Sequence, residues 1–204
     1  LPVIILGAGG HARVLLDALR RSSRTIIGFI DPGLIKGSEG PGGLSVLGGE
    51  EALRDFAASD VQLVNGVGSI GATTQRHMVW RRGKDAGYSF AQVVHPSAII
   101  SDTAMIGEGA QIMAGCVVQP GARIGANSII NTRASVDHDC QIGETVHLAP
   151  GVTLSGNVRI GDRSHIGTGA VVIQGISIGA DSLVAAGAVV YRDLPEAGRL
   201  IPGH

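Results

Sequence analysis

From residue 93 to residue 194 the chain can be written as seventeen consecutive blocks of six without a gap, opening VVHPSA, IISDTA, MIGEGA and closing SIGADS, LVAAGA, VVYRDL. The second place of every block is Ile, Val or Leu, from Val94 through Ile124 and Ile160 to Val190, and the sixth is mostly Ala, Ser, Cys or Val. A continuous helix would need apolar recurrence near 3.6 residues and a half-buried strand a recurrence of 2, so a period of six fits neither as an unbroken run. It fits short strands joined by bends. In a triangular β-helix three such strands make one coil of about 18 residues, coils stack at the ~4.8 Å strand spacing, and each strand turns one aliphatic side chain inward. Gly107, Gly125, Gly143, Gly161 and Gly179 recur every 18 positions, one site per coil where a bend or a close backbone approach suits glycine. The aromatic residues are Phe 3, Tyr 2 and Trp 1 in 204 residues, so the core must be aliphatic and thin.

The first ninety residues follow a different rule. Residues 3 to 6 (VIIL) predict an apolar strand, GAGGHA a glycine turn, and 13 to 20 an amphipathic helix with Val14, Leu15, Ala18 and Leu19 on one side. Further strands are expected at 25 to 30, ending at Asp31, and at 61 to 67, ending near Gly68, with a polar helix over 72 to 86. The order describes a small α/β Rossmann-like nucleotide domain over 1–90, followed by an all-β parallel β-helix over 91–204. Gly7-x-Gly9-x-x-Ala12 at a strand-to-helix junction lets a phosphate approach backbone N–H groups at a helix N-terminus, or merely lets helix and strand pack. Asp31, nineteen residues past Ala12, also fits the ribose carboxylate of an NAD domain. Ninety residues hold about half of a full dinucleotide fold, which favours a sugar nucleotide over NAD.

A formal net charge of −1 and so few rings argue against a nucleic-acid partner. No apolar run approaches the ~18 residues of a membrane span, and Leu1 to Leu6 is too short for a signal peptide, so the expectation is a cytoplasmic chain without membrane insertion. Cys116 and Cys140 form no CxxC pair and fall at inward sixth places, as small buried thiols.

Of the seven histidines, His138 stands fourth in its block, between inward Val136 and inward Cys140, which directs its side chain outward near a corner. One coil on is Gly156, and a glycine beside a histidine leaves a notch and an accessible backbone N–H, as a thioester carbonyl beside a general base requires. Asp137 and Asp139 flank the ring, and either carboxylate would raise its basicity and fix its tautomer. Spacing does not decide between them. His147 lies half a coil away, so it and His138 are expected to meet only across subunits, and His165 stacks one coil beyond His147. Zinc between subunits, as in the γ-class carbonic anhydrases, is a rival use of three histidines, but spacings of 9 and 18 fit that arrangement poorly and no metal is expected.

GAGGHA at 7 to 12, the strand ending at Asp31, NGVGS at 65 to 69, VVHPSA at 93 to 98, the stretch from Asn131 to Gly161 and the closing IPG together resemble the bacterial sugar O- and N-acyltransferases of the NeuD and PglD kind. The resemblance implies a left-handed β-helix, a homotrimer with active sites between neighbouring helices, and direct acetyl transfer from acetyl-CoA to a nucleotide-linked sugar, as in surface polysaccharide or glycan precursor synthesis. It implies that His138 is the general base and Asp139 the acid that increases its basicity. Gly9, Gly10, His11, Asp31 and Gly68 would contact the sugar nucleotide; His147, Gly156, Thr168 and Ala186 would contact acetyl-CoA, with Gly156 the oxyanion donor. Relatives run on past this point into a short basic tail, so part of the CoA or trimer contact is expected beyond His204. An N-acetyltransferase acting on a nucleotide-activated amino sugar is the leading reading. Its alternatives are a sugar O-acetyltransferase of the sialic-acid type and a non-catalytic nucleotide-sugar-binding module.

Overall fold

The computed structural model describes residues 1–71 and 73–201; Pro202 and Gly203 of the closing motif, with His204, lie outside the described residues. The chain opens with β1 (Val3–Leu6), whose four side chains are all buried, as a strand covered on both faces of a parallel sheet should be. Next come α1 (Gly10–Arg21), β2 (Ile26–Ile30), β3 (Val46–Gly48), β4 (Gln62–Asn65) and α2 (Thr74–Asp85). The strands form one parallel sheet in the order β3-β2-β1-β4. Two details depart from the sequence reading. The buried stripe of α1 is Ala12, Leu15, Leu16, Ala18 and Leu19, while Val14, off the 12, 15, 16, 19 spacing, is exposed. The three residues of β3 are too few to leave a periodic signal, and they become a strand by pairing with Phe29 and Ile30.

Connections from β1 run first to one side of the sheet and then, with β4, to the other. The direction changes between the carboxyl ends of β1 and β4, which is where ligands bind in open parallel sheets.

From Val93 onward the chain winds as a parallel β-helix of two-residue strands. Partners are 18 residues apart, as in Ile129 with His147 and His147 with His165, or Ser135 with Thr153, or Gln141 with Arg159. The expected coil length is therefore the observed one. Second-place residues from Ile112 to Val190 are buried, and the fifth place from Gly109 to Gly187 adopts positive φ, in glycine or in residues such as Asn127, Arg133, Asp139 and Asn157. The recurring glycine column answers to close approach: a Cβ on Gly107 would lie 2.7 Å from the Ala126 nitrogen.

The α/β unit covers one of the three faces. On that face the outward residues Val93, Gln111, Ile129, His147 and His165 are buried. Arg76 of α2 reaches across, its Nε donating to the Asn127 carbonyl (2.9 Å), and Asn65 Nδ2 donates to Asn127 Oδ1 (3.0 Å). Trp80 of α2 packs on Phe90 with ring centroids 4.5 Å apart. Among the described residues no helix is long and apolar enough to cross a membrane.

Candidate active site

A cleft of about 1020 Å³ opens where β1 and β4 end, between the glycine turn, the 66–70 loop and one corner of the β-helix. It brings together Gly9, Gly10, His11, Asp31 and Gly68, and it adds His147 to them. Gly7 enters the turn at φ +88, a conformation glycine adopts freely, and nothing lies within 4 Å of where a Cβ would stand on Gly9 or Gly10. α1 starts there without a side-chain cap, so its first N–H groups face the cleft unblocked, a ready anion site. Asp31 braces the turn: Ala8 N–H donates to Oδ2 (2.8 Å) and Gly33 N–H to Oδ1 (2.9 Å).

Behind this opening lies a chain of hydrogen bonds tying the α/β unit to the β-helix. Gln111 Nε2 donates to the Asn65 carbonyl (2.8 Å), which turns its Oε1 toward His11 Nε2 at 2.7 Å. Burial, then the nearby Arg76 charge, pushes the His11 imidazole down to about 4. Arg76 is fully buried; its Nη1 donates to the carbonyls of Asn65 (3.0 Å) and Val67 (2.8 Å), fixing the loop that follows β4. Its Nη2 has no partner among the described residues. Burial lowers its pKa to about 9, which leaves it a cation at neutral pH. His147 sits between Ser69 Oγ (Nδ1, 2.7 Å) and Asn131 Nδ2 (Nε2, 3.1 Å). Burial above all, then the neighbouring His165, His11 and Arg76, pushes its pKa down to about 3, so it is neutral.

His138 lies elsewhere, on the corner after the Ser135–Val136 strand, turned outward with about half its side chain exposed. Its Nδ1 stands 2.9 Å from Asp139 Oδ2, and that hydrogen bond above all raises its pKa against desolvation, with the charges of Asp137 and Asp139 adding to the rise. Asp137 is occupied otherwise, accepting the His138 backbone N–H at 2.7 Å. The notch at Gly156 is filled by the ring itself: a Cβ there would lie 2.6 Å from His138 Cε1 and closer still to Nε2. The Gly156 N–H has no partner among the described residues. The same fourth place is Pro at 96, 120 and 150, which fits a turn position whose N–H the coil leaves unused. Thr168 and Ala186 are exposed and stack one coil apart on the corner that carries Pro150. The cysteines are fully buried; desolvation pushes Cys116 up to about 11 and raises Cys140 as well, which disfavours a thiolate nucleophile.

Residues 2–82 match the PglD N-terminal domain family, 103–138 and 122–156 match the bacterial transferase hexapeptide family, and 157–192 match the hexapeptide repeat of succinyl-transferase. A variant of perosamine N-acetyltransferase from Caulobacter crescentus, solved in complex with CoA and GDP-perosamine, superposes with a TM-score of 0.90 at 37% identity, over 100% of this chain and 96% of that one. The chain belongs to the PglD-type family of hexapeptide-repeat sugar acetyltransferases. Its β-helix is thus of the left-handed kind. The acetyltransferase domain of PglB from Neisseria gonorrhoeae FA1090, in complex with acetyl coenzyme A, gives a TM-score of 0.89 at 34% identity, over 97% of this chain and 94% of that one. Among curated relatives, UDP-N-acetylbacillosamine N-acetyltransferase of Bacillus subtilis is 41% identical over 114 residues, which is 55% of this chain and 51% of that protein. The chain thus spans about half the length of that relative, and 29% of the GDP-perosamine N-acetyltransferase of Escherichia coli O157:H7.

Sequence reasoning passed over Ser69, Gln111, Asn131 and Arg76. Gln111, Ile129, His147 and His165 occupy the same outward place in successive coils of one face, a mixed column in which nothing in the repeat sets Gln111 apart as a residue of the site.

Proposed function

We propose that the chain is an acetyl-CoA-dependent N-acetyltransferase acting on a nucleotide-linked amino sugar, with residues 1–90 holding the nucleotide and 91–204 the acetyl-CoA, in a homotrimer. The observation that carries this reading is the pair at one corner, an outward imidazole tied through Nδ1 to Asp139 with its Nε2 beside Gly156. With the Nδ1 proton held by the carboxylate, Nε2 carries the lone pair. The sugar amine, entering as –NH₂, attacks the thioester carbon while Nε2 takes its proton. The oxyanion is received by the Gly156 N–H, the C–S bond breaks, and the imidazolium returns the proton to the CoA sulfur. No acyl-enzyme forms.

The cleft lined by Gly9, Gly10, His11, Asp31 and Gly68 is assigned to the nucleotide sugar, with the diphosphate at the α1 N-terminus. His147, Thr168 and Ala186 are assigned to acetyl-CoA. His138 is not among the residues lining that cleft, so a neighbouring subunit's His138 is assigned to each cleft. The relatives are named for N-acyl chemistry, as perosamine N-acetyltransferase and UDP-N-acetylbacillosamine N-acetyltransferase, which favours an amine over a hydroxyl acceptor.

The test is a thiol-release screen of UDP- and GDP-linked amino sugars with acetyl-CoA, repeated with His138→Ala. The variant is expected to lose roughly 10²- to 10⁴-fold in kcat/KM. Wild-type release with no loss in the variant removes His138 from the chemistry; no release with any amino sugar leaves the binding module as the reading.

A further inference from the structure

The hydrogen bonds around His147 have a direction. The Asn131 amide is oriented by its own Oδ1, which accepts the Thr132 N–H at 2.8 Å, so its Nδ2 faces His147 Nε2 as a donor. Nε2 is therefore the unprotonated nitrogen, and the ring carries its proton on Nδ1. Since Nδ1–H donates to Ser69 Oγ at 2.7 Å, Ser69 is an acceptor toward the histidine. Its own hydroxyl proton is not used in any hydrogen bond among the described residues, and Ser69 lines the cleft.

The order of groups along the cleft says what that proton meets. Asp31 holds Ala8, Gly9 and Gly10 open the α1 N-terminus, Gly68 stands against His11, where a Cβ would lie 3.1 Å from His11 Cβ, and then come Ser69, His147 and Asn131. With the diphosphate at the glycine turn and the base toward Asp31, Ser69 falls on the far side, where the sugar begins.

Resting on the sugar-nucleotide reading above, we propose that Ser69 is a sugar-recognition residue, a hydroxyl set by the Asn131–His147 relay to donate to an oxygen of the sugar. A donor polarised through a fixed relay discriminates by leaving a polar group unmet when the sugar oxygen is absent.

The test is a calorimetric titration of wild type, Ser69→Ala and Ser69→Thr with GDP-perosamine and with GDP, and in parallel with a UDP-linked 4-amino sugar and UDP. Ser69→Ala is expected to weaken the sugar nucleotide by about 3- to 10-fold while leaving the free diphosphate unchanged; Ser69→Thr, which keeps the hydroxyl, is expected to restore wild-type affinity for both. Ser69→Ala binding the sugar nucleotide as tightly as wild type overturns the assignment. So does an equal weakening of the free diphosphate, which is what a merely structural role in the loop would produce. The titration needs no turnover: a wild type that releases no CoA counts against acetyl transfer, while the affinity ratio still decides Ser69.

Discussion

Asp139 Oδ2 accepts a hydrogen bond from Nδ1 of its chain neighbour His138 at 2.9 Å, a contact that follows from the coil. The fifth place takes positive φ in every block from that of Gly109 to that of Gly187, 59° at Asp139, and this swings the carboxylate back toward the preceding ring. Gly121, one coil earlier, leaves the room: a Cβ there would lie 2.5 Å from Asp139 Oδ1. Asp137, the other flanking acid, is engaged with backbone.

Asp139→Asn keeps the shape of this contact and removes its charge. The hydrogen bond to Asp139 is the largest contribution raising the His138 pKa above its ordinary 6.5. A general base works unprotonated, so kcat/KM should climb with pH through that raised pKa. In the variant the climb should move to lower pH, and the plateau should fall roughly 10-fold because the base is weaker. The pH profiles of the two proteins check this; coincident acid limbs would remove Asp139 from the role.

Gly156→Ala tests the other neighbour of the ring. Gly156 is not at positive φ, so the backbone tolerates alanine, but its Cβ would collide with the imidazole. The ring must rotate off Asp139 or off the corner. Activity should fall by at least about 10-fold with a melting temperature close to wild type. Retained activity would mean that the ring's resting position is immaterial.

The β-helix was legible because its constraint is local and repeated: each inward position is fixed by the same six-residue rule, so seventeen blocks state it seventeen times. The outward turn of His138 followed from the same alternation. What the repeat does not encode is which face a second unit covers. His147 and His165 occupy outward places and are nonetheless buried, because the α/β unit lies on them. Arg76 stands in a helix that reads as mostly polar, and the docking of α2 on Asn127 makes it an interior cation. The choice between Asp137 and Asp139 depended on backbone φ, which spacing leaves open.

Two histidines whose surroundings hold the pKa down, His147 and His11, make stability depend on pH. In the unfolded chain each titrates near 6.5, whereas folded His147 and His11 are held down to about 3 and about 4. From pH 6.5 down toward 4 the unfolded state binds protons that the folded state refuses. Stability is therefore complete above pH 6.5 and declines as pH falls, by up to about 1.4 kcal/mol per pH unit for each histidine. His138, whose pKa moves upward, contributes with the opposite sign and cannot cause the decline. Urea unfolding at pH 7.5, 6.5 and 5.5 should show it, and His147→Gln should make it shallower. Parallel curves for the two proteins would assign the decline to other groups.

Arg76 is the last link between the two halves of the chain. It carries one carbonyl from the β-helix, Asn127, one from the end of β4, Asn65, and one from the loop after it, Val67, so one side chain both docks the α/β unit and shapes the floor of the cleft. Arg76→Met fills similar volume and donates to none of these carbonyls. Asn65 keeps its Gln111 donor and Val67 borders the cleft, so the Asn127 carbonyl bears the cost, about 1–3 kcal/mol when unpaired, offset in part by no longer burying a cation, and a net loss of about 1–2 kcal/mol is expected in urea unfolding. Arg76→Lys returns a charge but, as a single point donor, cannot span both sides of the interface, and should recover less than half of the loss. Because the Val67 carbonyl borders the cleft, both variants should also bind the nucleotide sugar more weakly. A Met variant as stable as wild type would mean that the guanidinium's burial costs as much as its three hydrogen bonds return.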